Sequence, residues 1–357
     1  MLVLFVIKKI ILRYILRDYF CHFIELIQGM KKDHHFVPKC YLKNFEIEDS
    51  GQLLVLDVVK IRNTTYNVFI ETKTKSQICK ADYFYLLPHN FEPRFFNSNV
   101  LKLDPLYIED VVFNYFENNY NKIFLPAITK NRMLTRKQAV EFGKFIIQLK
   151  IRNKYYRDVQ IKKSLPGILE SIKSSMISEP EFSSGFTSLT LASKKRVLTQ
   201  MIRDVESTPE FTSNYQKSSL IDGFSNDRHA ESLTALVDNE WVLLIATSDK
   251  AFFITTDNPG VTFYEKDDLT YNTRFLGKFI FVLPLTPRYC LLIEGSKKDN
   301  TIKRKQKKII KTIKASELLI SKVNHHSIQV TNQYLISNNE YYLDMVLNKN
   351  RPDNIKK

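Results

Sequence analysis

The sequence predicts an α+β fold: short-strand sheets from the N-terminal third and from about 240–295, packed around a central helical region, with a C-terminal helix. Three observations carry this reading. Runs such as "GQLLVLDVVK" (51–60) and "EWVLLIA" are apolar, β-branched and of strand length. Between them, residues 103–173 place apolar side chains at helical spacing. The composition, 44% hydrophobic and 25% charged, suits one large domain with a sizeable core, assigned to 30–340.

Residues 1–29 stand apart. Their apolar run is broken by Lys8 and Lys9 after seven residues, too short to span a bilayer. The charges follow the run rather than precede it, unlike a secretory signal. Two readings stay open: translation starting at Met30, or an amphipathic helix with Arg13 and Arg17 on one face, lying on a membrane surface.

Downstream, "NVFIE" (67–71) and "ADYFYLL" (81–87) read as further short strands. Ile108, Val112, Tyr115, Phe116 and Tyr120 define one helix; Thr135 is the expected N-cap of another, with Val140, Phe142, Phe145, Ile146 and Leu149 as its buried stripe. Residues 174–190 read as a loop, "SKKRVLTQMIRDVES" as a helix, and 207–226 as a polar loop. "ESLTALVDN" predicts a helix before the apolar runs "EWVLLIA" and "AFFITTDNP", and "FIFVLPLTP" with "YCLLIEG" predicts a strand pair. The Lys-rich stretch 297–314 reads as a helix with Ile302, Ile309 and Ile313 on one face. Residues 341–357 form a C-terminal segment with a disordered tail.

Charge and motifs narrow the function. Glycine is scarce, at nine residues, and neither GxGxxG nor GxxxxGK[ST] occurs, so the usual nucleotide-binding loops are absent. A net charge of +15 favours polyanions, nucleic acid first. Cys21, Cys40, Cys79 and Cys290 are scattered, with no CxxC pair. They form neither a zinc pattern nor a disulfide framework, which suits a reducing cytoplasm.

Five constellations carry candidate chemistry. In "MKKDHHFVPKCYLKNF", Pro38 suits a first helical turn and Tyr41, Leu42 and Phe45 bury one face. His34 and His35 then stand just upstream of an anion-friendly helix start, as acid or base, or else fix the chain entry through backbone bonds. Asp257 ends an apolar run in "FFITTDNP", as a metal ligand or histidine partner, or as plain turn chemistry. Gln148 and Arg152 share a helix face; Arg152 either clamps phosphate or pairs with Glu109 or Glu117. His325 and His326 lack a standard ligand spacing and read as surface residues. The Lys-rich stretch contacts a nucleic-acid backbone or is simply a solvated face.

Together these landmarks resemble the mainly bacterial domain-of-unknown-function family numbered 4238. The opening His-His-x-x-Pro-x-x-Tyr-Leu-x-x-Phe segment is matched in full by His34, His35, Pro38, Tyr41, Leu42 and Phe45. Glu109 and Glu117, Gln148 and Arg152, Thr256 to Pro259, Pro284-Leu285 with Pro287, and Asn324 supply the remaining landmarks. The sequence departs from the family's Arg-x-Pro turn, reading Arg152-Asn153-Lys154. The resemblance implies one compact α+β domain and supplies no activity.

The expected site gathers His34, His35 and Asp257 as catalytic groups, with Tyr41, Gln148, Arg152, Asn258 and Asn324 binding substrate. The expected function is phosphate-ester cleavage by a nuclease, RNase-like and of host-defence or toxin type, with a divalent metal as the candidate cofactor. The alternatives are a non-catalytic nucleic-acid-binding or sensor module and a membrane-peripheral protein.

Overall fold

The structure is a computed structural model that describes residues 33–48, 50–63, 68–87, 103–167, 170, 174, 190–206, 210–222, 230–264, 269–275, 277–295 and 306–349. The expected 174–190 loop, residues 1–29 and the 350–357 tail lie outside the described residues, 174 and 190 apart.

The chain opens with β1 (Asp33–His35), a short helix α1 (Lys39–Leu42), β2 (Gln52–Asp57), α2 (Val58–Asn63), β3 (Glu71–Thr74) and β4 (Lys80–Asp82). The apolar run at 51–60 leaves the strand at Asp57. There Oδ1 accepts from the Val59 and Lys60 amides at 3.0 and 3.1 Å and so starts α2. Two expected strands are corrected. The 67–71 strand begins only at Glu71, and the 81–87 strand ends at Asp82, because Tyr83 turns left-handed (φ 52°) and redirects the chain.

The central helical region is present. Wide π-type turns, Ile108–Phe113, Tyr120–Phe124 and Ala127–Asn131, flank α3 (Asn114–Asn119); the run stops where Arg132 turns left-handed (φ 54°). After β5 (Met133–Thr135) comes α4 (Arg136–Ile151). Thr135 caps it as expected: its side chain accepts from the Gln138 amide while Gln138 returns a bond to the Thr135 amide, a full capping box. Helices α5 (Leu191–Glu206), α6 (Glu210–Asp222) and α7 (Ala230–Asp238) follow. The 207–226 loop is thus corrected to a helix at its centre, which buries Leu220 and Gln216 despite its polar sequence.

Strands β6 (Glu240–Ala246), β7 (Thr255–Thr256), β8 (Val261–Tyr264), β9 (Leu269–Tyr271), β10 (Phe279–Thr286), β11 (Tyr289–Gly295) and β12 (Lys307–Ala315) precede α8 (Glu317–Gln329), β13 (Tyr334–Ser337) and α9 (Glu340–Lys349). Residues 307–314, expected to be helical, form β12. Ile309 and Ile313 share one face at helical spacing and equally at the even spacing of a strand. The β-branched content and the open edge of β6 decide for the strand.

A seven-stranded sheet runs β5-β12-β6-β11-β10-β8-β9, with β12 parallel to β6 and the other pairs antiparallel. A four-stranded antiparallel sheet runs β3-β2-β13-β7, and β1 pairs with β4. Both faces of the large sheet are covered, which explains the unbroken apolar runs. Trp241, Leu243, Phe281 and Leu291 pack toward α4, where Phe142 lies 5.9 Å from the Trp241 ring centre. The alternating residues Val242, Leu244, Val282 and Cys290 face Ile320 and Val323 of α8. Leu343 and Leu347 of α9 cover Leu56 and Leu335 of the smaller sheet and Ile254 just before β7. The turn 257–260 leads from β7 in one sheet to β8 in the other, so its residues sit where the layers meet.

Candidate functional site

The landmark residues lie in the interior in two groups, one at the C-terminal end of α4 and one around the 257–260 turn. β1 carries His34 and His35; Phe36 continues the ladder, its amide donating to the Cys79 carbonyl at 2.8 Å. His34 is fully buried. Its Nδ1 accepts the Tyr85 amide at 2.8 Å, and its ring stacks on Tyr85 at 5.9 Å between centres. The Tyr85 hydroxyl in turn donates to the Arg152 carbonyl. The anion-binding helix start is absent from α1, which has four residues and whose Tyr41 and Leu42 amides return to the Pro38 carbonyl.

Arg152 is the staple between the opening segment and the helical region. Its Nη1 pairs with Glu117 Oε1 at 2.9 Å, its Nη2 donates to the His35 carbonyl at 2.6 Å, and its guanidinium lies 3.6 Å from the Phe113 ring centre. Of the two roles the sequence left open, pairing with Glu117 is realised. Gln148, one turn earlier, donates from Nε2 to the Val112 carbonyl at 2.9 Å and so holds the π-turned helix against α4. Tyr41 donates from its hydroxyl to the Pro284 carbonyl at 2.5 Å and shares a 2.8 Å bond with Thr255, tying α1 to both sheets.

A second group surrounds the 257–260 turn. The Asp257 carboxylate accepts the Asn332 amide at 3.0 Å and the Gln333 amide at 2.7 Å, fastening the loop before β13. Burial pushes its pKa up to about 7, against the opposing pull of those two amides. Asn258 is a hub: its Oδ1 accepts from Lys150 Nζ at 2.6 Å and Asn153 Nδ2 at 2.8 Å, and its Nδ2 donates to the Val330 carbonyl at 2.8 Å. Lys150 also donates to the Pro259 carbonyl at 3.0 Å and to the Gly260 carbonyl. Burial drives the Lys150 pKa well below its ordinary value, while the Asp257 charge pulls the other way. Asn324 zips α8 to the 252–254 segment, accepting the Ile254 amide at 3.1 Å and donating to the Phe252 carbonyl at 2.8 Å.

His326 corrects the surface assignment. It is fully buried, stacked on Phe263 at 4.1 Å, with Nδ1 bonded to Thr270 Oγ1 at 2.7 Å; only His325 stays exposed. Among the described residues no group of three or more His, Cys, Asp or Glu side chains could hold a metal ion. The Asp257 oxygens, the expected metal ligands, face backbone amides. No helix among the described residues is long and apolar enough to cross a membrane.

Sequence reasoning missed Lys150, Asn153 and Tyr85. A signal existed for Lys150: it falls four residues after Ile146 and eight after Phe142, on the apolar stripe where a charge needs partners. Nothing local marked Asn153, whose Oδ1 accepts the Tyr156 amide at 2.8 Å and whose Nδ2 reaches Asn258 across 105 residues.

The surface offers a different arrangement. Beyond β5, the outer edge of β12 has no strand partner among the described residues, since β5 pairs only with Lys307 to Ile309. Lys307 and Lys311 stand exposed on one face of this edge strand, and Lys314 stands exposed on the other. Exposed Arg132 adjoins them, its carbonyl accepting the Ile310 amide at 2.9 Å and its Nη1 reaching Thr312 Oγ1 at 3.4 Å. Lys311 meets Glu240 at 2.7 Å in a solvent-exposed pair, a weak tie that a phosphate could replace.

No curated protein and no solved structure matches the chain. A family model described as "Protein of unknown function (DUF4238)" matches residues 33–341, the span that holds β1, Arg152, the 257–260 turn and Asn324 alike, and the chain belongs to that family.

Proposed function

We propose that this protein binds nucleic acid along its phosphate backbone, through the basic open edge of the seven-stranded sheet. The observation that carries this reading is the edge strand itself: along β12, Lys307 and Lys311 stand exposed on one face and Lys314 on the other, with exposed Arg132 beside them, on a chain of net charge +15. Ile309 and Ile313, 70% and 50% exposed, intersperse the lysines, and no aromatic residue does. Such an edge offers cationic contacts to phosphate and no stacking platform for bases, so binding is sequence-independent.

The eight residues expected to act on a phosphate ester support the binding reading over cleavage. Tyr41, His34, Gln148, Arg152, Asp257, Asn258 and Asn324 are buried and bonded to other parts of the chain, and the His35 carbonyl takes Arg152. In this reading they hold the layers in register, and the surface meets the ligand.

The test is a mobility-shift titration of the purified protein with labelled single- and double-stranded RNA and DNA, with products resolved on a denaturing gel with and without Mg2+ or Mn2+. Retarded, intact nucleic acid is expected. Cleavage that disappears in His34→Ala/His35→Ala would replace binding with hydrolysis, and neither retardation nor cleavage at low salt would end both readings.

A further inference from the structure

We propose that Lys150 and Asn258 are the two halves of an intramolecular isopeptide bond, formed with release of ammonia and joining α4 to the 257–260 turn. Three features of the buried cluster support it. First, nucleophile and electrophile are in contact: Lys150 Nζ lies 2.6 Å from Asn258 Oδ1, so the amide carbon is the next atom along. Second, the amide is held and polarised. Asn153 Nδ2 donates to Oδ1 at 2.8 Å, where negative charge would develop on attack, and Nδ2 of Asn258 is fixed on the Val330 carbonyl at 2.8 Å. Third, the Nζ of Lys150 is hydrogen-bonded to neutral groups alone, and burial there favours the neutral amine that attack requires, while the neighbouring buried Asp257 is held on the Asn332 and Gln333 amides. All four side chains are at most 1% exposed, so water does not compete.

The three oxygens around Nζ suit the ammonium of the starting state. Burial drives the Lys150 pKa well below its ordinary value, so release of one proton as the cluster closes leaves the neutral amine. The Nζ lone pair then attacks Cγ of Asn258, and the carbonyl electrons move onto Oδ1. In the tetrahedral adduct, where both nitrogens are bound to Cγ, one proton passes from Nζ to Nδ2. The Cγ–Nδ2 bond breaks as the carbonyl re-forms. Ammonia leaves and takes up the proton that Lys150 released, departing as ammonium. No oxidant or cofactor enters the balance. The bond spans 108 residues of chain and links the central helix to the junction of the two sheets.

Mass spectrometry of the purified full chain tests this. The expected result is a branched tryptic peptide joining 145–152 to 251–266, with cleavage after Lys150 blocked and the combined mass one ammonia below the sum. The intact chain should be lighter by the same amount, and Lys150→Arg should show its full sequence mass. Linear peptides ending at Lys150, beside unmodified Asn258, would overturn the proposal. So would an ammonia loss without the branched peptide, since imide formation elsewhere gives the same mass. Should Lys150→Arg fail to fold, the wild-type digest alone decides.

Discussion

Replacing Arg152 with methionine separates a residue that staples the fold from one that clamps phosphate. The substitution keeps an unbranched side chain against Phe113, whose ring centre lies 3.6 Å from the guanidinium. It removes the 2.6 Å bond to the His35 carbonyl and the 2.9 Å pair with Glu117. A stranded buried acceptor costs about 1–3 kcal/mol. Breaking a fully buried ion pair costs about 3–5 kcal/mol. Here the Arg152 side chain is 2% exposed but Glu117 is 30% exposed, so the glutamate regains water and the pair's share shrinks. The expected loss is about 3 kcal/mol, or roughly 4 °C in melting midpoint for a chain of this size. Arg152→Lys, which keeps the charge but not the planar fork, should recover only part of it. Urea and thermal unfolding measure the change, and a mobility shift at low temperature measures binding by the molecules still folded. An unchanged midpoint with lost nucleic-acid affinity would refute the stapling argument and return Arg152 to the ligand.

Three further outcomes follow from the same contacts. The Asp257 carboxyl titrates at about 7 in the folded chain and near the ordinary 3.9 in the unfolded one. Between those values the folded state keeps a proton that the unfolded state has released. Its contribution is therefore full below about pH 4, falls as pH rises, and is lost above about pH 7, to a limit of about 4 kcal/mol. Urea midpoints at pH 5 and pH 8 read this slope, and Asp257→Asn should flatten it; equal slopes in both proteins would contradict the assignment. Asn324→Ala removes two bonds to the 252–254 backbone and should cost about 2 kcal/mol in unfolding free energy; a change below about 0.5 kcal/mol would show that the α8 contact is carried elsewhere. Gly260 adopts φ +76°, and an added Cβ would lie 2.8 Å from Phe281 Cζ, so Gly260→Ala should lower the melting midpoint by several degrees, more than the roughly 1 kcal/mol of conformation alone.

The fold was legible where local chemistry and packing agreed. The α4 capping box was written in Thr135 and Gln138, and the β10–β11 hairpin in two apolar runs around a Pro-Arg turn. It was less legible where one pattern serves two periods. Ile309 and Ile313 fit a helix face and a strand face equally, and the β-branched content with the open edge of β6 decides between them. The polar composition of 207–226 likewise concealed a helix whose burial comes from distant neighbours, since Gln216 donates to the Ile151 carbonyl across 65 residues at 2.8 Å. As for the candidate site, the family landmarks pointed to residues that are buried and bonded across the fold. Their spacing could not reveal that the partners would be backbone groups: the Tyr85 amide for His34, those of Asn332 and Gln333 for Asp257. That information lies in contacts spanning 51 and 75 or more residues, beyond the reach of any local pattern.

The most direct measurement of the central claim is the salt dependence of nucleic-acid affinity in the wild type and in Lys307→Gln/Lys311→Gln/Lys314→Gln. All three lysines are exposed, so the variant should unfold at the wild-type midpoint. If they contact phosphates, the slope of log affinity against log salt should fall by roughly two to three in magnitude, with weaker binding at low salt to RNA and DNA alike. An unchanged slope and affinity would place the binding surface elsewhere and contradict the account.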